Sequence, residues 1–190
     1  AQARSDLAES GKNVIILCGD TPLLRPETLA RLCAHHIESG AVATLVTTEL
    51  DNPKGYGRII RSQHSGAFVS IVEERDCQEH DKRICEINAG LYVVSAKVLF
   101  ETLDRVGSEN DQGEYYLTDV FGLLAEDGHT VEALNLPIEE ELLGVNDRLQ
   151  LAEATKILRL RACEDLMRNG VSVAAPSLTF VDDDVVVGSD

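Results

Sequence analysis

Basic side chains are scarce in this chain: 17 Lys and Arg face 33 Asp and Glu, a net charge of −16. That excess repels phosphate backbones and anionic lipid, which argues against nucleic acid and against a membrane surface as partners. Paired cysteines are missing too. Cys18, Cys33, Cys77, Cys85 and Cys163 are odd in number and widely spaced, so they indicate neither a zinc site nor a disulfide scaffold. Reduced thiols in a cytoplasmic protein are the expectation. The first residues show no basic-then-apolar leader pattern, and the apolar run from Val14 to Cys18 is far too short to cross a bilayer. A dinucleotide or P-loop fingerprint is also absent. The one Gly-x-Gly, Gly55-Tyr56-Gly57, runs into a strand-like Arg58-Ile59-Ile60 and not into a helix, so it lacks the context such a cradle needs.

What remains is a chain of 190 residues with 44% hydrophobic content, enough for one sizeable core. Val14-Ile15-Ile16-Leu17-Cys18 is continuous and β-branched, closed by Gly19-Asp20, and reads as a central strand buried on both faces of a parallel sheet. Pro26 opens a helical pattern with Leu29, Leu32, Cys33 and Ile37 on one face, Gly40 ends it, and residues 41–48 follow as a second strand: one β-α-β unit. Residues 58–61 and 68–72, separated by His64-Ser65-Gly66, read as a hairpin. Residues 90–94 form another strand, Ser95 is placed to cap the next helix, and a further helix is expected over 118–126 with Thr118 as its cap. A last strand covers 131–136, and a long helical pattern runs from Asn146 to Gly170. After Gly170, short apolar steps broken by Asp and Gly, ending in residues 181–188, resemble the opening coils of a hexapeptide-repeat β-helix; a ragged C-terminal strand is the alternative.

Few residues are placed for chemistry. Asp20 directly follows a strand, where ligands of open α/β sheets collect, and one carboxylate plus one further side-chain oxygen suffices for Mg2+, which keeps waters and substrate phosphates as its other ligands. The same Asp20-Thr21 pair before Pro22 also suits an Asx-type turn. Glycines at 55 and 57 allow close approach of a ligand to backbone, and Tyr56 is suited to cover a sugar face, although a plain tight turn has the same pattern. Glu73 accepts hydrogen bonds from hydroxyls and Asn88 both donates and accepts, but either residue type is often merely solvated or capping. The run from Gln112 to Asp119 reads as a helix entry without chemistry, and His35 and His36 as a solvated helix face.

The ordered motifs Leu17-Cys18-Gly19-Asp20-Thr21-Pro22-Leu23, Gly55-Tyr56-Gly57-Arg58-Ile59, Ile71-Val72-Glu73, Glu86-Ile87-Asn88-Ala89-Gly90, Gln112-Gly113-Glu114-Tyr115-Tyr116-Leu117-Thr118-Asp119 and Gly144-Val145-Asn146-Asp147-Arg148 resemble a known family. They are similar to the uridylyltransferase domain of the bifunctional N-acetylglucosamine-1-phosphate uridylyltransferase/glucosamine-1-phosphate N-acetyltransferase enzymes. The resemblance covers nearly the whole chain. It implies a Rossmann-like α/β nucleotidylyltransferase domain over residues 1–148 that lacks its first β-α segment, a connecting helix over 149–169, and the start of a left-handed β-helix over 170–190.

It also implies that Asp20 and Asn146 hold Mg2+, that Gly57, Glu73 and Asn88 contact N-acetylglucosamine 1-phosphate, and that Cys18 and Gly19 touch the nucleotide. A Tyr is common in the family where this chain has Cys18. UTP would be the second substrate, acetyl-CoA would bind a domain beyond this chain, and the parent would be a homotrimer. On this resemblance the chain is expected to be an internal piece of a longer protein, without the Gly-rich triphosphate loop and inactive alone. The alternatives are a nucleotidylyltransferase for another hexose 1-phosphate, or an inactive piece serving only assembly.

Overall fold

The structure is a computed structural model and describes residues 3–7, 11–182 and 185–189. Asp183, Asp184 and Asp190, part of the repeat-like tail, lie outside the described residues. The chain divides into two compact units, Ala1–Cys18 with Arg25–Glu139, and Gly19–Leu24 with Glu140–Asp190.

The first unit is built on a mixed sheet of six strands, β1 (Asn13–Ile16), β2 (Ala43–Glu49), β3 (Arg58–Arg61), β4 (Phe68–Val72), β5 (Glu86–Ser95) and β6 (Val131–Asn135). The order is β4-β3-β5-β2-β6, and β1 pairs with β5 outside that path. Only β2 and β6 are parallel; β3 with β4, and β5 with β1, β2 and β3, are antiparallel. A short turn, α1 (Arg4–Leu7), precedes β1. Helix α2 (Pro26–Ser39) starts on a proline, whose fixed φ suits the first helical position, and stops at Gly40 with φ 64°, a left-handed cap that a side chain would disfavour.

All but the last residue of β2 are buried, so this strand is covered on both faces. On one face the Thr44 hydroxyl meets Nδ1 of the buried His36 on α2 at 2.9 Å. On the other, Ala43 and Leu45 join a core with Phe68, Ile71, Tyr92 and Val94, sealed by Leu99 of α3 (Ala96–Leu103) and by Val120, Phe121 and Leu124 of α4 (Asp119–Glu126). The Tyr92 and Phe121 rings stack at 4.5 Å. Burying a side chain of this size contributes about 1.5–3 kcal/mol, so the layer of Phe121, Leu124, Leu45 and Val94 ties α4 firmly to the sheet.

Strand β1 departs from the sequence reading. It is not a central parallel strand: it lies antiparallel to the end of β5, and Ile15 and Leu17 are 46% and 43% exposed. A five-residue apolar run does not encode strand direction, which is set by a partner far away in the chain. The hairpin β3-β4 matches the expected limits, whereas β5 starts at Glu86. Polar Glu86 is retained in the strand because Arg61 pairs with its carboxylate at 2.6 Å and the Thr47 hydroxyl donates to it at 2.6 Å.

In the second unit, α5 (Arg148–Arg168) opens with a capping box, in which Asp147 accepts from the Gln150 amide at 2.8 Å and the Gln150 side chain accepts back from Asp147 at 3.2 Å. From this helix Arg161 donates to the Leu23 carbonyl at 2.7 Å and pairs with Glu140. Arg159 donates to the Thr179 carbonyl at 3.1 Å and stacks over Phe180. The described residues beyond α5 contain one 3-10 turn, Pro176–Leu178, and no strand. No helix among the described residues is long and apolar enough to cross a membrane.

Candidate functional site

One edge of β5 carries two different strands: β3 meets it near its start, at Ile87, and β1 pairs with its end, Tyr92 to Ser95. Between them the sheet is split. Gly90 lies in this split with φ 72°, a conformation that costs an ordinary residue about 1–2 kcal/mol, and a Cβ there would stand 2.6 Å from Cys18 Sγ. Cys18 leaves the end of β1 and points its thiol at the Gly90 carbonyl, 3.6 Å away.

Gly57 enters β3 at the same split, and its carbonyl accepts from the Asn88 amide at 2.9 Å. It is a glycine for want of space: a Cβ would lie 2.9 Å from Ile71 Cγ2 and 3.3 Å from Glu73 Oε2. The structure therefore brings Gly57 against both Glu73 and Asn88. The Asn88 side chain is held at both ends, donating to the Tyr92 hydroxyl at 2.7 Å and accepting from the Gly90 amide at 3.1 Å, and it keeps one N–H and one lone pair for a ligand. Tyr92 is 4% exposed and its phenol is pushed well above its ordinary range by burial, so it stays a neutral partner.

The loop of Gly55 and Tyr56 is fastened from beneath. Arg58, 2% exposed, pairs with Glu74 at 2.8 Å and donates to the Tyr56 carbonyl. Burial acts to raise the Glu74 carboxyl, but the Gly55 amide and the Arg58 guanidinium outweigh it and hold it below the usual range. Tyr56 itself is half-buried, and Gly19 is exposed with open space around it.

Beside Glu73 opens a cavity of about 390 Å³, lined also by Asp76, Glu109, Asn110, Tyr116 and Asp119 and by no basic side chain. Burial, then the charges of Glu73 and Asp76, raise the Asp119 carboxyl. Glu73 Oε1 accepts from the Thr118 hydroxyl at 2.7 Å. That contact corrects the sequence reading of Thr118 as a helix cap: its side chain makes no cap hydrogen bond.

Asp20 and Asn146 both belong to the second unit. The Asp20 carbonyl accepts from the Val145 amide at 2.8 Å, and the Asn146 amide donates to Gln150 Oε1 at 2.7 Å, so the capping box of α5 also fixes the loop before it. As a result the two side chains converge: a Cβ on Gly144 would lie 3.4 Å from Asp20 Oδ2 and 3.6 Å from Asn146 Nδ2. Among the described residues no group of three or more His, Cys, Asp or Glu forms a metal cage. The Asp20 carboxylate offers oxygens there, and the Asn146 amide, whose Nδ2 is the atom nearest Gly144, adds one only when turned to present its Oδ1; one or two protein oxygens are what Mg2+ takes, with water and phosphate as its other ligands.

A family model described as nucleotidyl transferase matches residues 1–139. The chain belongs to the nucleotidyl transferase family. Curated relatives agree with the resemblance read from the motifs: a "Bifunctional protein GlmU" from Geobacillus sp. (strain WCH70) is 46% identical over 189 residues, all of this chain and 41% of that protein. Another of the same name from Carboxydothermus hydrogenoformans is 48% identical over 179 residues, 94% of this chain and 40% of that protein. The chain thus spans about two fifths of the length of these relatives. Among solved structures, a putative glucose-1-phosphate thymidylyltransferase from Bacillus anthracis, in complex with a sucrose, superposes with a TM-score of 0.60. At 14% identity over 83% of this chain and 58% of that one, the match establishes the fold alone.

Of the groups described, sequence reasoning missed Thr118, Tyr92 and the pair Arg58–Glu74. Thr118 and Arg58 stand inside the motifs that carry the resemblance; Tyr92 gave no signal beyond an aromatic in an apolar strand.

Proposed function

We propose that this nucleotidyl transferase chain serves the transfer of UMP from UTP to N-acetylglucosamine 1-phosphate, giving UDP-N-acetylglucosamine and pyrophosphate. The observation that carries the reading is the gathering of Gly57, Glu73 and Asn88, from three different strands or turns, around one split in the sheet. Asp20 and Asn146 would hold Mg2+, which supplies charge neutralisation on the phosphates when bound. Glu73 accepts from sugar hydroxyls, and Asn88, its amide locked by Tyr92 and Gly90, offers one donor and one acceptor. Gly57 lets the β3 entry pack closely against Ile71 and Glu73, and Tyr56 beside it covers the sugar face. Cys18 and Gly19 face the nucleotide. A sugar-phosphate oxygen attacks the α-phosphorus in line, so no protein nucleophile is required, and the side chains act by positioning.

The whole protein would also acetylate glucosamine 1-phosphate from acetyl-CoA in a further domain, with residues 170–190 as the first coils of its left-handed β-helix, and would assemble as a cytoplasmic homotrimer. A related enzyme acting on another hexose 1-phosphate is the alternative, in keeping with the fold it shares with a thymidylyltransferase. The test is Glu73→Ala in the full-length protein that contains this chain. The Michaelis constant for the sugar phosphate should rise by about tenfold or more while that for UTP stays within about twofold, as loss of a charged hydrogen bond predicts. Equal effects on both substrates would remove Glu73 from the sugar site.

A further inference from the structure

Thr118 stands directly before α4, where a Thr hydroxyl ordinarily accepts from an amide of the first helical turn. Here it does not. Its backbone is helical, with φ −63° and ψ −25°, and not extended as a capping residue requires. The first amides of α4 find other partners, since those of Asp119, Val120 and Phe121 donate to the carbonyls of Tyr116, Leu117 and Thr118 at 3.2–3.3 Å. The helix start is thus served without the hydroxyl, which turns away and donates to Glu73 Oε1 at 2.7 Å.

Glu73 needs such a tether. Its neighbours around the cavity, Asp76, Glu109 and Asp119, are acidic, and among the described residues no cation pairs with it. A carboxylate repelled by its surroundings and held by nothing would swing among rotamers. Gly57 bounds it on one side, with Glu73 Oε2 3.3 Å from where a Cβ would be, and the Thr118 hydroxyl bounds it on the other. Thr118 is itself fixed, 6% exposed, at the head of a helix whose Val120, Phe121 and Leu124 are wholly buried.

We infer that Thr118 is a positioning residue, its hydroxyl holding the Glu73 carboxylate in the orientation that receives the sugar hydroxyls. This role rests on the reading of Glu73 as a sugar ligand. It acts through Glu73, so it should affect sugar-phosphate binding and leave UTP binding alone.

The experiment uses the full-length protein, with steady-state pyrophosphate release measured while UTP or N-acetylglucosamine 1-phosphate is varied. Thr118→Val removes the hydroxyl at constant shape and should raise the Michaelis constant for the sugar phosphate about tenfold, with that for UTP within about twofold. Thr118→Ser, which keeps the donor, should stay within about threefold of the parent. In a Glu73→Ala background, Thr118→Val should add less than about twofold, because the group it positions is gone.

If Thr118→Val fails to fold, Thr118→Ala against Thr118→Ser makes the same comparison. A parent-like Thr118→Val, an equal rise for both substrates, a Ser variant as poor as Val, or a full Val effect without Glu73 would each overturn the role. A parent that ignores N-acetylglucosamine 1-phosphate, or a Glu73→Ala variant with an unchanged sugar constant, would sink the sugar reading and this role with it. A sugar-selective parent, an impaired Glu73→Ala and a normal Thr118→Val would overturn Thr118 alone.

Discussion

Replacing Gly57 by Ala would put a methyl 2.9 Å from Ile71 Cγ2 and 3.3 Å from Glu73 Oε2. Carbon atoms pack best at about 3.5–4.0 Å, so the contact with Ile71 falls short by roughly 0.6–1 Å. Ile71 is 7% exposed and β-branched, and it is paired with Ile59 in the hairpin, so it has little freedom to yield. Overpacking of this kind costs about 1–3 kcal/mol, and the strand shift that relieves it moves the base of Glu73. A displacement near 1 Å at a positioning group costs up to about a hundredfold in rate. In the full-length protein, Gly57→Ala should lower the denaturation midpoint followed by circular dichroism and cut kcat/KM for the sugar phosphate at least tenfold. Adding Ile71→Ala, which removes the opposing methyl, should give a double variant more stable than the sum of the two single effects by at least about 0.5 kcal/mol. Strict additivity, or a Gly57→Ala protein with parental stability and sugar affinity, would refute the steric argument.

His36 gives a pH signature. Burial, and then the neighbouring His35, lower its pKa below the ordinary value, so the folded state disfavours the proton that the unfolded chain accepts. The stability linked to this group is fully present above the unfolded pKa of about 6.5 and is lost as pH falls from there through the lower folded value. Urea midpoints should therefore decline between about pH 7 and pH 5, and His36→Gln, which does not titrate, should lessen the decline; identical pH profiles would contradict the assignment. Glu74→Ala strands Arg58, 2% exposed, without its counter-charge. Because the Glu74 side chain is 30% exposed and water can reach the gap, the loss should be at the lower end for a broken buried pair, about 2–3 kcal/mol by chemical denaturation, and a change below about 0.5 kcal/mol would show the pair to be dispensable.

How much of this was readable in the sequence depends on how local the cause was. The hairpin of β3 and β4 matched its expected limits because the turn chemistry lies between the strands, with Gly66 at φ 71°. The limits of α2 followed from Pro26 and Gly40, whereas the capping box of α5, although local to Asp147 and Gln150, was not read from the sequence. Strand β1 failed because direction and burial come from β5, far along the chain. Residues 86–89 escaped the strand reading because Glu86 and Asn88 interrupt the apolar pattern, and only their partners Arg61, Thr47 and Tyr92 explain them. For the site, residue type alone left Asp20, Glu73 and Asn88 with bland alternatives, and the motif order supplied the rest. Thr118 shows the reverse error: a cap preference that is correct on average was overridden by a carboxylate 45 residues away.

The most direct measurement is product formation by the full-length protein containing this chain, with UTP and a panel of hexose 1-phosphates, in Mg2+ and then in excess chelator. The expected result is UDP-N-acetylglucosamine and pyrophosphate in equal amounts from N-acetylglucosamine 1-phosphate. The other sugar phosphates should react at least about tenfold more slowly, as a site built to bind specific polar groups predicts. Asp20→Ala or chelation should abolish the reaction. Preference for a different hexose 1-phosphate, or full activity of Asp20→Ala in chelator, would contradict the account.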